Sequence, residues 1–214
     1  VYNELIEPQR KTRSARSALS RATPSLSGFS LLLGLRGNST LGHHTVYFPK
    51  DYDDEFDAIF DRKEPVPNPA IYICNPRDSE MVKKADTESW FVLINAPRHE
   101  PASGCDWNAP GLKEKYAEHI IDQLESRGLE IRSRLEVCEI RTPADLENRT
   151  NAPGGSIYGT SSNGARSAFL RAKNRSSIRN LYCVGGSAHP GGGLPLVGIS
   201  AEIVAEAVEE NVAR

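Results

Sequence analysis

Short apolar runs bounded by turn-forming residues divide the chain into predicted strands. Four such runs cover residues 29–35, 43–48, 71–74 and 90–96. Each has the length and apolar character of a buried strand. Because several of them follow one another with short connections, they predict a mainly antiparallel sheet. The charged stretch 77–88, between the last two runs, predicts an exposed excursion.

Apolar residues at helical spacing predict two helices in the same region. The first has its apolar face on Tyr52, Phe56, Ile59 and Phe60, and the second on Leu112, Tyr116, Ile120 and Leu124. Gly128 suits the end of the second helix. Apolar and charged residues alternate over 129–137, which predicts a half-solvated strand. A helix start is predicted at Thr142-Pro-Ala-Asp145, and the Gly-, Ser- and Asn-rich residues 151–164 predict a long loop.

The C-terminal part of the chain combines an apolar run, a glycine cluster and a helical pattern. Residues 181–184 predict a short buried strand, and five glycines follow among the nine residues 185–193. Pro195 suits the first turn of a helix, where its missing N–H costs nothing. Apolar residues then recur at helical spacing: Val197, Ala201, Val204, Val208 and Val212. A glycine loop before a helix start offers free N–H groups and partial positive charge to an anion or an electron-rich ring.

Two phosphate-binding templates fail on this glycine loop. The dinucleotide fingerprint G-x-G-x-x-G needs a third glycine where Leu196 stands. The P-loop pattern is matched by Gly193, Gly198 and Ser200, but Ile199 replaces the lysine that contacts a triphosphate. The sequence therefore does not predict a triphosphate site.

The net charge and the spacing of the cysteines argue against several classes of ligand and site. The net charge of −2 gives the molecule as a whole no electrostatic attraction to nucleic acid. The cysteines are widely spaced and form no C-x-x-C pair: Cys74, Cys105, Cys138 and Cys183. This spacing argues against a zinc site and a disulfide framework, and it predicts a reducing, cytoplasmic compartment. The three glycosylation sequons, at Asn38, Asn148 and Asn174, are then coincidences.

The N-terminal residues are basic. Residues 8–27 hold five cations and no acid: Arg10, Lys11, Arg13, Arg16 and Arg21. We expect residues 1–28 to form a basic linker or surface segment, with a contact to an anionic membrane surface as the alternative. The sequence begins with Val1 rather than methionine, so we expect an N-terminal part to be missing.

The glycine loop resembles a motif of one enzyme family. The string from Val184-Gly185 through His189-Pro-Gly-Gly-Gly-Leu-Pro195 is similar to the C-terminal flavin-binding motif of the FAD-dependent carotenoid (phytoene) desaturases. Other segments follow the family pattern as well: 29–35, 43–48, 51–60, 68–72, 90–97, 142–145 and 154–159. Residues 158–163 and 168–171 resemble the hydroxyneurosporene desaturase-like branch. The resemblance covers roughly residues 25–210.

The resemblance implies an α+β/α/β fold in two parts. Residues 29–150 would form a substrate-binding domain with a mostly antiparallel sheet. Residues 151–214 would return into the FAD-binding domain as the closing strand and helix of its doubly wound sheet. The implied reaction is desaturation of a carotenoid, either phytoene or a hydroxycarotenoid, by hydride transfer to FAD. A long-chain polyene substrate implies peripheral membrane contact, and no nucleic-acid partner is expected.

The resemblance also implies site residues. The implied FAD contacts are Gly185, Gly186, Ser187, Pro190, Gly191, Gly192, Gly193, Leu194 and Pro195. Tyr158 is predicted either to reach flavin or substrate or to have a packing role. His43 and His44 would point to opposite faces of a strand, so at most one of them could contact the substrate. No metal is expected there, because no His/Asp/Glu cluster accompanies them. No catalytic residue is assigned.

Two alternatives stay open at this point. The chain could belong to another flavin oxidoreductase of the same superfamily, such as a retinol saturase-like or amine-oxidase-like enzyme. It could also be a non-catalytic truncated chain, because the N-terminal G-x-G-x-x-G element that holds the FAD pyrophosphate in the family is not in this sequence.

Overall fold

The computed structural model describes residues 5–78, 80, 82, 86–161 and 171–212. The chain divides into two compact units. One unit is Leu26–Ser156, and the other joins Val1–Ser25 to Ile157–Arg214. The boundaries expected from the sequence, 28/29 and 150/151, lie a few residues from these.

The unit Leu26–Ser156 is built on one five-stranded sheet. The strands are β1 (Ser27–Arg36), β2 (His44–Tyr47), β3 (Ile71–Cys74), β4 (Thr87–Ala96) and β5 (Leu135–Arg141). Their order in the sheet is β2-β3-β4-β1-β5, and every neighbouring pair is antiparallel. All four apolar runs that predict strands in this region lie in the sheet.

The main core lies on one face of this sheet. The side chains of β1 alternate, so Phe29, Leu31 and Leu33 are buried together. Helix α3 (Leu112–Glu125) contributes its predicted apolar face to this core. The ring of Phe29 makes an edge-to-face contact with Tyr116 of this helix, with ring centroids 4.9 Å apart. The core side of the sheet is therefore set by period-two and helical patterns that were readable in the sequence.

The opposite face of the sheet is only partly covered. We call it the open face and define it by six apolar or aromatic side chains: Leu32, Val46, Tyr72, Phe91, Leu93 and Val137. In the strand register Leu32 lies opposite Phe91, and Leu93 lies opposite Tyr72. Val46, Phe91 and Val137 are exposed, and Val137 at the β5 edge is 61% exposed. This unit therefore presents a second surface with apolar character.

The same unit contains the helix predicted near Tyr52 and the helix start predicted at Thr142. Helix α2 (Asp53–Asp57) continues as a π-helical turn, Ala58–Arg62. Helix α4 (Pro143–Thr150) begins with a capping box, in which the Thr142 hydroxyl accepts from the Asp145 amide at 3.2 Å. The Asp145 carboxylate in return accepts from the Thr142 amide at 2.8 Å. The predicted N-cap at Thr142 is confirmed.

Two sequence-based predictions in this unit hold only in part. The strand predicted at 129–137 begins only at Leu135, because residues 132–134 form a turn closed by the Arg134 amide on the Ile131 carbonyl. The predicted excursion 77–88 is not exposed throughout. Glu88 lies in β4 and is buried, because five donors from neighbouring segments compensate its carboxylate. Residues 79, 81 and 83–85 of that stretch lie outside the described part.

Two α-helices lie in the described residues of the second unit. Helix α1 (Arg13–Arg21) follows a 3-10 turn at Arg10–Thr12, so the basic segment is helical where a linker or surface was expected. No residue of α1 is buried. Helix α5 (Leu194–Val212) confirms the C-terminal helical pattern, although its buried positions are Ser200 and Ala207. Among the helices of the described residues, none is both long and apolar enough to cross a bilayer.

The run 181–184, which was predicted as a strand, forms no extended strand within the described residues. Within the described residues this run makes a single bridge, between Tyr182 and Arg175, and Val184 is 57% exposed. A run becomes a strand only when neighbouring backbone satisfies its N–H and C=O groups. The predicted loop 151–164 is described only as far as residue 161, where it includes a 3-10 turn at Pro153–Gly155. The closing-strand description of an FAD domain stays a prediction.

Candidate functional site: the glycine loop before helix α5

The glycine loop, residues 185–193, has a backbone that favours glycine at several positions. Gly185, Gly191 and Gly193 have φ values of 107°, 142° and 97°. Such positive φ angles are strained for residues that carry a Cβ. The His189–Pro190 peptide is cis. The glycine cluster in the sequence therefore corresponds to a specific backbone path.

A buried asparagine fastens this loop to helix α5. Asn174 is 6% exposed, and its side-chain Nδ2 donates to the carbonyls of Cys183 (3.1 Å) and His189 (2.9 Å). The same nitrogen lies 3.0 Å from the Ser200 hydroxyl, which also accepts from the Gly185 amide at 3.2 Å. The start and the middle of the loop are thus tied to one buried polar pair.

Arg171 and Tyr158 support the loop from its inner side. The Arg171 Nη1 donates to the carbonyls of Tyr158 (2.9 Å) and Gly186 (3.3 Å). A Cβ at Gly191 would come within 3.1 Å of the Arg171 guanidinium, and a Cβ at Gly192 within 2.2 Å of the Tyr158 ring. These two glycines are therefore required by neighbouring side chains of the same unit.

The other side of the loop is open. A Cβ at Gly185 or Gly193 would meet nothing within 4 Å. Ser187, Gly193 and Pro195 are exposed, and Leu194 is 89% exposed. Gly186 and Pro190 are half-buried. The predicted cofactor residues therefore divide between those packed inward against Tyr158 and Arg171 and those that face outward.

The start of helix α5 belongs to the outward side. The Val197 amide closes the first turn on the Gly193 carbonyl at 2.9 Å, and Pro195 lies in that turn as predicted. The first turn of a helix leaves N–H groups without intrahelical acceptors and carries partial positive charge. It holds no acidic side chain. These features fit an electron-rich or anionic group such as the isoalloxazine or phosphate part of FAD.

Sequence reasoning missed Asn174, Arg171 and Ser200 as site residues. Asn174 attracted notice only as a sequon, and its burial excludes it as an accessible glycan acceptor. It bonds to groups nine to 26 residues away, and no periodic pattern signals contacts at those separations. A possible signal for Ser200 was a small polar residue within an otherwise apolar helical stripe.

The two adjacent histidines do not behave as predicted. The rings of His43 and His44 stack at 4.3 Å between centroids with an interplanar angle of 26°. The expectation of opposite faces is wrong, because β2 begins only at His44 and strand alternation does not extend to His43. The register of β2 and β3 places Cys74 opposite His44. No metal was predicted here because the sequence shows no His/Asp/Glu cluster near the two histidines. That prediction did not consider Cys74 as a ligand.

Comparison with known proteins places the chain among enzymes of carotenoid metabolism. No family model matches it. It is 35% identical over 168 residues to the 1-hydroxycarotenoid 3,4-desaturase of a Flavobacterium species, which is 77% of this chain and 33% of that protein. It is 32% identical over 204 residues to the hydroxyneurosporene desaturase of Rubrivivax gelatinosus, 91% of this chain and 37% of that protein. This chain belongs to the carotenoid desaturase family. The resemblance stated from its motifs is thereby confirmed.

The family relationship extends over nearly the whole chain. The lycopene-forming phytoene desaturase of a Paracoccus species aligns with 99% of it at 31% identity, and with 42% of its own length. The carotenoid desaturase match therefore includes both compact units. These relatives do not favour a retinol saturase-like or amine-oxidase-like enzyme. The chain spans about a third to two fifths of the length of these relatives.

Proposed function

We propose that this chain provides the closing glycine loop and part of the substrate-facing sheet of an FAD-dependent carotenoid desaturase. The observation that carries the proposal is the loop at residues 185–193, which Asn174 fastens beside an exposed helix start. Family membership supports the reaction class. The mechanism below concerns what the residues of this chain would contribute.

The outward side of the loop suits the FAD. Gly185 and Gly193 leave open space, and the first turn of α5 adds unbonded N–H groups beside them. Bound FAD supplies the hydride acceptor of a desaturation. The residues of the helix start would bind and orient the ring, and their partial positive charge would stabilise negative charge on it. The neighbouring Ser187 is exposed and is available to contact the ribityl or phosphate side.

The open face of the sheet suits a polyene. The six side chains that define it are aliphatic or aromatic, and Phe91, Leu93 and Leu32 are neighbours in the strand register. The polar pair Glu139 and Arg141 borders them on β5. A Cβ at Gly28 would meet Leu93 at 3.2 Å, and one at Gly34 would meet Val137 at 3.3 Å, so these glycines lie beneath apolar side chains of the same face. Binding of a hydrocarbon chain is favourable because it removes such apolar surface from water. We therefore assign the occupant of this face as the carotenoid substrate.

The chain also carries a candidate for membrane contact. Arg13 and Arg21 of helix α1 are exposed, as are Arg10 and Lys11 just before it. Basic residues near a surface are attracted to anionic lipid. Because a carotenoid dissolves in the bilayer, we propose that this segment contributes to peripheral attachment. The substrate-contact roles of His43, His44 and Tyr158 stay predictions.

The decisive experiment measures flavin and product together. The protein expressed from its own coding sequence is reconstituted with FAD, freed of excess flavin, and mixed with phytoene or a hydroxycarotenoid without oxygen. We expect retained flavin absorption that bleaches with the polyene, and a product lighter by two hydrogens per step. Val in place of Gly193 should reduce flavin retention, whereas Gly198→Ala, with open space around it, should not. A colourless protein, or a bound flavin that neither polyene bleaches, would contradict the proposal.

A further inference from the structure

We propose that His43, His44 and Cys74 form a binding site for a borderline-soft transition-metal ion, with Zn²⁺ as the best fit. Each of the three side chains offers one ligand atom, and these atoms lie within 4.8 Å of one another. The site lies in the unit Leu26–Ser156, and it does not depend on the proposed desaturase function.

The backbone holds these residues together. His44 and Cys74 are direct partners in the antiparallel pair of β2 and β3. The Asn75 amide donates to the His43 carbonyl at 2.8 Å, which extends this pairing by one more bond. Side chains directly opposite on antiparallel strands have Cβ atoms about 5 Å apart. Strand register therefore sets His44 and Cys74, and the Asn75 bond holds the backbone of His43 just before β2.

The histidine rings are also oriented. The rings of His43 and His44 are stacked, and the Nδ1 of His44 lies 2.8 Å from the hydroxyl of Tyr72. A metal-binding histidine commonly has its other ring nitrogen held by a hydrogen-bond partner. Tyr72 is such a positioning residue, and the ring keeps a second nitrogen, Nε2, that is able to bind a metal.

The ligand types decide which metal fits. Zinc bonds of about 2.0–2.1 Å to nitrogen and about 2.3 Å to sulfur bring tetrahedral ligand atoms closer together than 4.8 Å. Small side-chain rotations supply the difference, because both histidines are exposed and Cys74 is half-buried. One thiolate and two imidazoles favour Zn²⁺, Co²⁺ or copper over Mg²⁺ and Ca²⁺. Three protein ligands leave a fourth position for water.

A bound ion would act on the edge of the sheet. Strand β2 has four residues and pairs only with β3. A metal joining His44 to Cys74 would link these two strands by coordinate bonds in addition to backbone hydrogen bonds. A ligand that binds only the folded state raises its stability. We therefore expect the ion to raise the melting temperature of the protein.

The test uses Co²⁺ as a spectroscopic probe. The protein is purified without a polyhistidine tag, treated with a chelator and a reductant, and titrated with Co²⁺. We expect one equivalent to produce a near-ultraviolet thiolate-to-cobalt band and the visible bands of a tetrahedral site. Zn²⁺ should displace them, and excess Mg²⁺ should not. The melting temperature should rise with Zn²⁺ in the same titration.

Matched variants assign the ligands. Cys74→Ser should abolish the thiolate band, and His43→Ala or His44→Ala should each weaken Co²⁺ binding at least tenfold. Cys138→Ser is the control, because Cys138 is also a free cysteine. It is exposed and lies on β5, whereas Cys74 is half-buried and lies on β3. Each variant is compared with the parent for its melting temperature without metal, so that misfolding is detected. A thiolate band that persists without Cys74, or that is lost without Cys138, would overturn the proposal.

Discussion

The ring of Tyr158 packs directly on the backbone of Gly192. A Cβ at position 192 would lie 2.2 Å from Cδ1 of this ring and 2.7 Å from Cε1. The carbonyl of Tyr158 meanwhile accepts from Arg171, which also donates to Gly186. One aromatic residue and one arginine therefore hold the inner side of the glycine loop, and the absence of a side chain at 192 is what permits this packing.

Gly192→Ala should destabilise the chain because the new methyl group overlaps the Tyr158 ring. Overpacking of this kind costs about 1–3 kcal/mol. Gly198→Ala is the matched control, since Gly198 lies inside helix α5 and its Cβ would meet nothing within 4 Å. Alanine there should raise stability by up to about 1 kcal/mol. Urea unfolding of the parent and both variants measures the two changes.

A double-mutant cycle tests whether the ring is the cause. All three atoms nearest to a Cβ at 192 belong to Tyr158. In a Tyr158→Ala background, Gly192→Ala should therefore lose most of its cost, because contacting residues give non-additive changes. An equal cost in both backgrounds would mean that backbone conformation, and not the ring, requires glycine at 192.

Asn174→Ala should loosen the whole glycine loop. It removes the donor to the carbonyls of Cys183 and His189 and leaves these partners unsatisfied. At roughly 1 kcal/mol per hydrogen bond, with more for buried groups left unpaired, we expect a loss of about 2–3 kcal/mol in the free energy of unfolding. The same variant should exchange the Gly185 amide proton faster in hydrogen-exchange measurements.

Asn211→Ala provides the control for that substitution. Its side chain donates at 2.7 Å to the Asn180 side chain at the surface, and this bond joins exposed groups. We expect a change within about 0.5 kcal/mol. Ser200→Ala should give an intermediate loss and should expose the Gly185 amide alone. If the Asn174 and Asn211 variants unfold alike, the assignment of Asn174 as the fastening residue is wrong.

The elements that could be predicted from the sequence are those whose structure is determined by residues close together in the chain. Strands β1 and β4 could be read from their apolar runs, and the N-cap at Thr142 from its motif, because neighbours in the sequence determine both. The position of the glycine loop was predicted from its amino-acid sequence alone. The hydrogen bonds that hold this loop could not be predicted, since Asn174 and Ser200 lie 26 residues apart in the sequence.

The incorrect predictions also have a common physical cause. Residues 181–184 have a strand's composition, yet a strand depends on partners that the sequence of the run does not contain. His43 and His44 were assigned to opposite faces by an alternation that starts one residue later. In both cases the sequence has the pattern of a strand, but the backbone partners in the fold determine which residues form one.

Glu88 is buried at the junction of several segments of the sheet unit. Its Oε1 accepts from the amide and hydroxyl of Ser39, each at 2.9 Å, and from Asn75 at 3.0 Å. Its Oε2 accepts from Trp90 at 3.1 Å and pairs with Arg134 at 2.7 Å. Burial by itself would raise the pKa of Glu88, but the Ser39 amide, Arg134 and the other donors together lower the pKa below its ordinary value of 4.5.

Glu88→Gln should therefore cost stability at neutral pH and little in strong acid. A lowered folded pKa stabilises the protein above the ordinary value, and this contribution is lost as the pH falls through the folded pKa. Breaking a buried pair costs about 3–5 kcal/mol. Glu136→Gln is the control, since Glu136 pairs with the exposed Arg36 and should contribute at most about 1 kcal/mol. The measurement is urea unfolding of each variant from neutral to acidic pH.

Glu55 should show the opposite pH dependence. It is fully buried, and among the described residues its carboxylate accepts from the Ala70 amide at 2.5 Å and the Asn95 side chain at 2.8 Å. Desolvation raises the pKa of Glu55 above 4.5, and these two donors lower it less than burial raises it. Its contribution to stability is therefore complete below the ordinary pKa and is lost as the pH rises through the raised value.

Glu55→Gln keeps the shape of the side chain and removes its titration. The stability of the parent minus that of this variant should be greatest at acidic pH and should decrease toward neutral pH, whereas the same difference for Glu88→Gln should increase. The two curves can be measured in one series of urea unfolding experiments. Because both carboxylates are buried in the same unit, opposite slopes would show that the donors around Glu88, Arg134 among them, outweigh the effect of burial on its pKa. They would also show that the two donors to Glu55 do not. Parallel slopes would contradict the assignment of Glu55 as a carboxyl with a raised pKa.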